Sequence, residues 1–480
     1  MDSFTLKKSF IWVMLLLLSG ITLKAADNPQ VVVKLDKPGC LLSKLGSTGN
    51  VTNLKVIGSL NGEDMYLLRW MAGCDRYGEA TTGKLATLDL SEAKILAESR
   101  INGALIYLTI YDDKGLYFPA KGTYYLVHEV EDGICQFEFS DCNALKKIIL
   151  PSSLKSIGRY AFKDCTNLQS VEFSSDSIDM ENSVFCRCTR LYEVKLPKKL
   201  VKIPSSTFYG CKNLQNCEIP SGVKEIGEAA FCGCAALREI TIPSTVTKIG
   251  AAAFQNCKKI QNIELPSGLL EIADATFEGC EFLYKIILPS QLVKIGDRAF
   301  YQSVYLQHVE FPNTLLEIGE YAFYNIFLSK VDFPPNLVKI GSCAFQYDYF
   351  QELKLPKSLT DIGYAAFGNC KDLSSVYVLW DQLPMNENIR VADVFDEVPM
   401  EKCTLYVPKG KAAEYKSSSN WNYFENIVEF DATDIGKVMS STDANEVSRY
   451  SVNGQRLSAP TKGLNIVKYS DGSVKKIAVQ

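Results

Sequence analysis

The chain has 480 residues, is 47% hydrophobic and carries 51 Lys and Arg against 55 Asp and Glu, a formal charge of −4. That mild acidity offers no footprint for a nucleic-acid partner, and no stretch beyond the N-terminal leader reaches the ~20 apolar residues of a membrane-spanning helix. With only two histidines, His128 and His308, neither spaced from a Ser, Cys or carboxylate partner, and no glycine-rich phosphate loop, catalysis finds little to work with.

Residues 1–25 read as a secretory signal: Lys7 and Lys8, an apolar run from Phe10 to Leu18, then a polar, small-residue exit with Leu23 and Ala25 at −3 and −1. Cleavage after Ala25 removes Lys7, Lys8, Lys24 and Asp2, so the mature chain carries −6. A lipid anchor is not expected, because Leu18-Ser19-Gly20 is followed by Ile21 and the first cysteine is Cys40.

Residues 26–130 lie outside the regular register that follows, yet contain related pieces. Val51 to Gly58 alternates like a strand, Asp64 to Met71 has helical spacing stopped by Gly73, and Leu85 to Leu90 is another strand. This region is expected to cap the first hydrophobic layer of a stack.

From 131 to 380 one unit repeats, its register set by Phe139, Phe162, Phe185, Phe208, Phe231, Phe254, Phe277, Phe300, Phe323, Phe345 and Phe367. The first nine are 23 residues apart and the last two steps are 22. A fixed period of that size means a solenoid. The template is P-x-x-L-x-x-I-G-x-x-A-F-x-x-C-x-x-L-x-x-I-x-L. Its L-x-x-I-x-L end is a short strand with one buried face, which proline stops. L-x-x-I-G is a second extended piece closed by a glycine turn, and A-F opens a tight, helical corner whose aromatic ring fills the interior.

These residues resemble the BspA-type leucine-rich repeat of exported bacterial proteins, matched by eleven units over roughly Ile134 to Val378. Gly83 to Ile95 is similar to that family's N-terminal region. Thr404 to Gly410, followed by Tyr415, Trp421, Phe424 and Ile427, is similar to its closing segment within a C-terminal cap at 381–430. The resemblance implies an α/β, β-rich fold class: a leucine-rich repeat right-handed superhelix (solenoid) of about eleven 22–23-residue units, with terminal caps and a small C-terminal β unit. It also implies an adhesive or binding role.

Residues 431–480 form a polar linker and a tail. Ser448 to Val452, Gly463 to Tyr469 and Val474 to Val479 alternate like strands around turns at Asn453-Gly454 and Asp471-Gly472. The tail resembles the C-terminal sorting domain of the type IX secretion route, although Gly463 is followed by Leu464-Asn465 where that pattern has a tyrosine.

Sixteen cysteines in an exported chain suggest disulfides, but their placement argues otherwise. Cys142, Cys165, Cys188, Cys211, Cys234, Cys257, Cys280 and Cys370 fill one slot of the unit, broken at Ser303. Stacked equivalents ~4.8 Å apart with parallel Cβ vectors make a buried thiol ladder, since a disulfide wants converging vectors. Cys186-Arg187-Cys188 and Cys232-Gly233-Cys234 sit two units apart, near ~10 Å, too far for one tetrahedral zinc. No metal or cofactor is expected.

The residue before the Ile of L-x-x-I-G runs Asp179, Lys202, Glu225, Lys248, Glu271, Lys294, Glu317, Lys339, Asp361, reversing sign at every unit. In a stack this is a charge ladder that fixes register, each exposed pair worth only ~0.2–1 kcal/mol. Candidate ligand contacts lie on the other strand, at the variable outward positions Tyr192, Lys195, Arg238, Tyr284, Ile287, His308, Glu310, Asp332 and Tyr377.

The expected function is an exported, non-enzymatic binding or adhesion protein, on the cell surface or secreted, with periplasmic retention as the alternative location. Its partner is expected to be an extracellular protein or glycan, host matrix proteins among them. Two other readings stand beside it. A parallel β-helix polysaccharide lyase or hydrolase would need long loops breaking the array, and a structural surface spacer would need no ligand.

Overall fold

A computed structural model describes residues 29–97, 130–380, 383, 390–431, 446–451, 456–457, 459, 462–469 and 474–479. The leader, His128, most of the 431–443 linker and the two tail turns lie outside the described residues.

The chain winds into a parallel β-solenoid built on three stacked columns, of which the first is strand-paired in three separate stretches: to Asn216–Glu218, then Asn262–Glu264 with Lys285–Ile287, then from Glu352–Leu355 onward, while residues 238–242, 306–311 and 328–333 follow the same path without strand pairing. The first column is the L-x-x-I-x-L strand. It begins in the N-terminal region with β1 (Val31–Lys34), β2 (Asn53–Leu60) and β3 (Thr87–Ile95), which pair in parallel and pass directly to Lys147–Ile149, Ser170–Glu172, Glu193–Lys195 and Asn216–Glu218. The register is fixed by the buried central residue: Ile148 opposes Val171, and Val171 opposes Val194. A one-residue slip would turn each of these side chains out to water.

The second column holds the short strands before the glycine, in register from Lys202 through Glu225 to Lys248 and from Glu271 to Asp361. Gly250 closes one of them with no positive φ, and a Cβ there would stand 2.5 Å from the backbone nitrogen of Glu228 in the preceding turn. Glycine is needed for close approach of two backbones rather than for the turn conformation that its position in the template suggests.

The third column corrects the sequence reading of the corner. The A-F segment is not helical; it is a run of turns with left-handed residues two positions before and two after the phenylalanine, as at Tyr160 (φ 60) and Asp164 (φ 58) around Phe162. Alternating handedness points every second N–H along the solenoid axis, while those between, Ala161 and Lys163, close turns onto Gly158 and Tyr160 of their own corner. Tyr160, Phe162 and Asp164 thereby donate to the carbonyls of Asn182, Val184 and Cys186 in the next turn. An isolated Ala-Phe pair has good helix propensity, but interturn pairing overrides it.

Inside the three columns, the eleven register phenylalanines stack face to face with centroids 5.1–5.8 Å apart. Phe395 of the C-terminal cap adds a twelfth ring, 5.7 Å beyond Phe367. Offset stacks of this kind add to the burial of 150–250 Å² per ring.

Both ends are closed. Helix α1 (Leu41–Leu45) and helix α2 (Gly62–Met71) cover the N-terminal layer; α2 starts in a capping box between Asn61 and Asp64. The Arg69 side chain of α2, fully buried, donates to the carbonyls of Asp75, Phe137 and Glu138 and so fastens the cap to the first corner. At the other end, Thr404–Pro408 and Asn426–Phe430 extend the first column beyond Ser375–Val378. Trp421, Tyr415 and Phe424 then bury the last layer, with Trp421 edge-on to Trp380. The tail is a four-stranded antiparallel sheet in which Glu446–Ser451 pairs with Arg456–Leu457 and Gly463–Tyr469, and the latter with Val474–Val479.

Candidate binding face

Each first-column strand alternates a buried residue with two that face water, because successive side chains point to opposite sides of a sheet. Eight of the nine proposed ligand contacts are exposed: Tyr192, Lys195, Arg238, Tyr284, Ile287, His308, Glu310 and Asp332. Tyr284 is joined to its neighbour by a hydrogen bond from the Asn262 amide to its hydroxyl, 2.9 Å. His308 lies 3.3 Å from the Glu310 carboxylate, and Asp332 pairs with Lys330 at 2.8 Å.

The ninth residue, Tyr377, lies elsewhere in character. Its ring stacks on Tyr406 of the cap with centroids 4.3 Å apart, meets the edge of Phe430 and takes the Lys354 ammonium 5.7 Å from its centroid. Burial, aided by Glu352 and Tyr406, pushes its phenol up to about 12. Half-buried, Tyr377 joins array to cap.

The thiol slot has a specific partner that spacing could not reveal. Cys142, the first, reaches the Arg69 carbonyl at 3.8 Å, and from Cys165 on each thiol donates to the carbonyl of the phenylalanine one turn back: Cys165 to Phe139 at 2.9 Å, Cys188 to Phe162 at 3.0 Å, Cys234 to Phe208 and Cys280 to Phe254 at 3.2 Å. Ser303 does the same with its hydroxyl, to Phe277 at 2.8 Å, and Cys370 resumes the pattern to Phe345 at 3.3 Å. Burial holds the Cys188 and Cys234 thiols well above their ordinary pKa, and Cys217 and Cys403 at about 12. Thiolate chemistry is therefore suppressed. Among the described residues no group of three or more His, Cys, Asp or Glu is arranged to hold a metal.

The slot departs from thiol or hydroxyl at Ile326 and Asp348. The corner carrying Ile326 is one residue short, and Asp348 in the next turn fills the gap: its buried carboxylate accepts the Leu328 N–H at 2.8 Å. Desolvation raises this carboxyl well above its usual range in spite of the backbone donors of Leu328, Phe327 and Ile326.

In the charge column, Glu225 accepts Lys202 and Lys248 at 3.2 Å each, while Lys294–Glu271 and Lys339–Glu317 are longer, 3.7 and 3.8 Å. Burial raises the Glu225 carboxyl, but the two lysines outweigh it and leave it below its ordinary value. The first member is unmatched, with Asp179 opposite the uncharged Ser156, whereas Asp361 at the far end lies opposite Lys339.

One surface row is not declared by the repeat template. Phe282, Tyr305, Phe327 and Tyr349 occupy the slot before the leucine of C-x-x-L in four successive turns, all exposed. Phe282 stacks on Tyr305 at 5.3 Å, and Phe327 leans on Tyr349 at 5.4 Å. Aligning the units column by column at the x positions would have found this row.

A family model described as a BspA type leucine rich repeat region, in six copies, matches residues 129–235, 201–315 and 271–383, which together exceed half of the chain. No curated protein matches. Among solved structures, the chain is similar to a leucine-rich repeat protein from Bacteroides ovatus, with 23% identity over 66% of this chain and 79% of that one and a TM-score of 0.45. It is similar also to a leucine rich cell surface protein from Faecalibacterium prausnitzii, with 18% identity over 66% and 88% and a TM-score of 0.34. A third similarity is to the pneumococcal vaccine antigen PcpA, with 16% identity over 79% of each chain and a TM-score of 0.28.

Proposed function

This chain belongs to the BspA-type leucine-rich repeat family, and we propose that it is an exported, non-enzymatic protein that binds extracellular macromolecules through the exposed face of its first strand column. One observation carries the reading. Buried positions repeat from turn to turn, whereas the solvent-exposed Tyr192, Arg238, Tyr284 and His308 on the outer side of the first column do not. A face whose only task was to stack would have no need of such variation. Adhesion to a host matrix or to another cell is the use this surface fits. The secretory leader supports export, and the resemblance of the tail to a sorting domain supports display at the cell surface.

Two measurements test this. Proteinase added to intact cells should digest the protein without lysis; protection until the envelope is opened contradicts surface display. The mature chain immobilised on beads should retain at least one component from a panel of matrix proteins and cell-wall polysaccharides. Failure of every component at micromolar concentration contradicts the binding role.

A further inference from the structure

Read down the first strand column, the outward residues repeat every second turn, not every turn. Gln215, Gln261 and Gln307 recur at one outward position and Glu218, Glu264 and Glu310 at another, all exposed, in alternate units. The units between them carry Tyr192, Arg238 and Tyr284 at the glutamine position. Strand pairing sets Glu193 against Asn216 and Asn262 against Lys285, and residues 238–242 and 306–311 continue the column without it. Across the unpaired unit the core rings Phe208, Phe231 and Phe254 follow at 5.3 and 5.4 Å, so two turns advance the pattern by about 9.4–10.7 Å, between twice a paired-strand spacing and twice the ring spacing.

Resting on the reading that this face is the binding surface, we propose that it holds an extended, neutral, 1,4-linked glycan lying along the solenoid axis, with one disaccharide to every two turns. In such a polymer each sugar advances by about one strand spacing and successive sugars are flipped, so the chemical repeat is the disaccharide, close to the two-turn period. A face that repeated every turn would offer the same groups to opposite edges of the sugar. Here the alternation matches the flip.

The side chains also fit. Amides of Gln and Asn with carboxylates of Glu donate to and accept from hydroxyls, while a tyrosine ring offers an apolar body with a polar end. The amide of Asn262 holds the Tyr284 hydroxyl at 2.9 Å, so that ring is fixed relative to the preceding unit. On this face the exposed carboxylates of Glu193, Glu218, Glu239, Glu264 and Glu310 outnumber Lys195, Arg238 and Lys285, a balance that disfavours a uronic-acid polymer and leaves a neutral one unopposed. A peptide in β conformation, at ~6.6–6.8 Å per two residues, keeps register with neither one turn nor two.

The experiment is calorimetry with the full mature chain and four probes: β-1,4-linked glucose oligomers and N-acetylglucosamine oligomers of graded length, polygalacturonate, and a polyproline peptide, whose ~9.3 Å turn is the closest peptide match. Affinity for one of the neutral oligomers should climb with length to about eight sugars and then level off as successive disaccharides engage. Gln261→Ala with Glu264→Ala should lower it about tenfold. Arg238→Gln with Thr241→Glu, which makes the intervening unit like its neighbours, should lower it as well although it adds hydrogen-bonding groups. All four positions are exposed, so thermal unfolding should not move.

Length-independent binding, tighter binding of polygalacturonate or polyproline, or a gain from the Arg238 and Thr241 pair overturns the proposal. If the chain captures a protein through Tyr192, Arg238 and Tyr284 but no oligosaccharide, the glycan assignment fails and the proposed function stands. Absence of any ligand removes both.

Discussion

At the residue scale, the recurring cysteine is a buried hydrogen-bond donor, replaced by Ile326 and Asp348 only in the two corners that are one residue shorter. Its carbonyl partner also receives a backbone N–H, as Phe208 does from Cys211, so losing the thiol does not leave that oxygen wholly unpaired. Cys234→Ala should accordingly cost about 1 kcal/mol in urea unfolding, and Cys234→Ser less, since Ser303 already performs the task with a hydroxyl. A serine variant weaker than the alanine would contradict this role. All sixteen cysteines but the partly exposed Cys135 are buried, so a disulfide-exchange reagent should label Cys135 first and the rest only on unfolding. Asp348 gives a pH signature. Its native carboxyl holds a proton above the ordinary value near 3.8, so in that window the unfolded chain binds fewer protons than the folded one and stability falls as pH rises. Asp348→Asn should flatten that decline relative to the parent chain; parallel profiles would show that the carboxyl does not titrate in the fold.

At the element scale, the three columns differ in how openly the sequence declares them. The first was legible from the L-x-x-I-x-L alternation, and the second from the Ile-Gly pair with its reversing charge. The third was not, because alternating left- and right-handed backbone at residues as ordinary as Tyr160, Ala229 and Arg298 leaves no compositional mark. Only the carbonyl of the next turn makes that conformation worthwhile. The same limit applied to Tyr377, whose covering partner Tyr406 comes from a cap outside the repeat register. The charge column predicts a modest, salt-sensitive effect. Glu225→Lys places three lysines in a row and should destabilise by about 1 kcal/mol at low ionic strength, with most of the loss removed in ~1 M salt. An equal loss at both salt concentrations would mean that packing, not charge, is responsible.

At the scale of the whole molecule, stability is a sum over neighbouring turns and depends on closed ends. Trp421 is buried against Trp380, Tyr415 and Phe424 over the last layer. Trp421→Ala should cost about 3–5 kcal/mol and speed hydrogen exchange in Glu352–Leu355 and Ser375–Val378 before it does so near Phe162; uniform acceleration would contradict end-wise fraying. Because core, thiols and charges all serve the stack, the proposed function assigns recognition to the outward residues that change from turn to turn. The most direct test compares the mature chain with a Tyr192→Ala, Arg238→Ala, Tyr284→Ala variant for retention of the same panel of matrix proteins and polysaccharides. Unchanged thermal unfolding with binding lost is the predicted result, and full binding by the triple variant would contradict the assignment of this face.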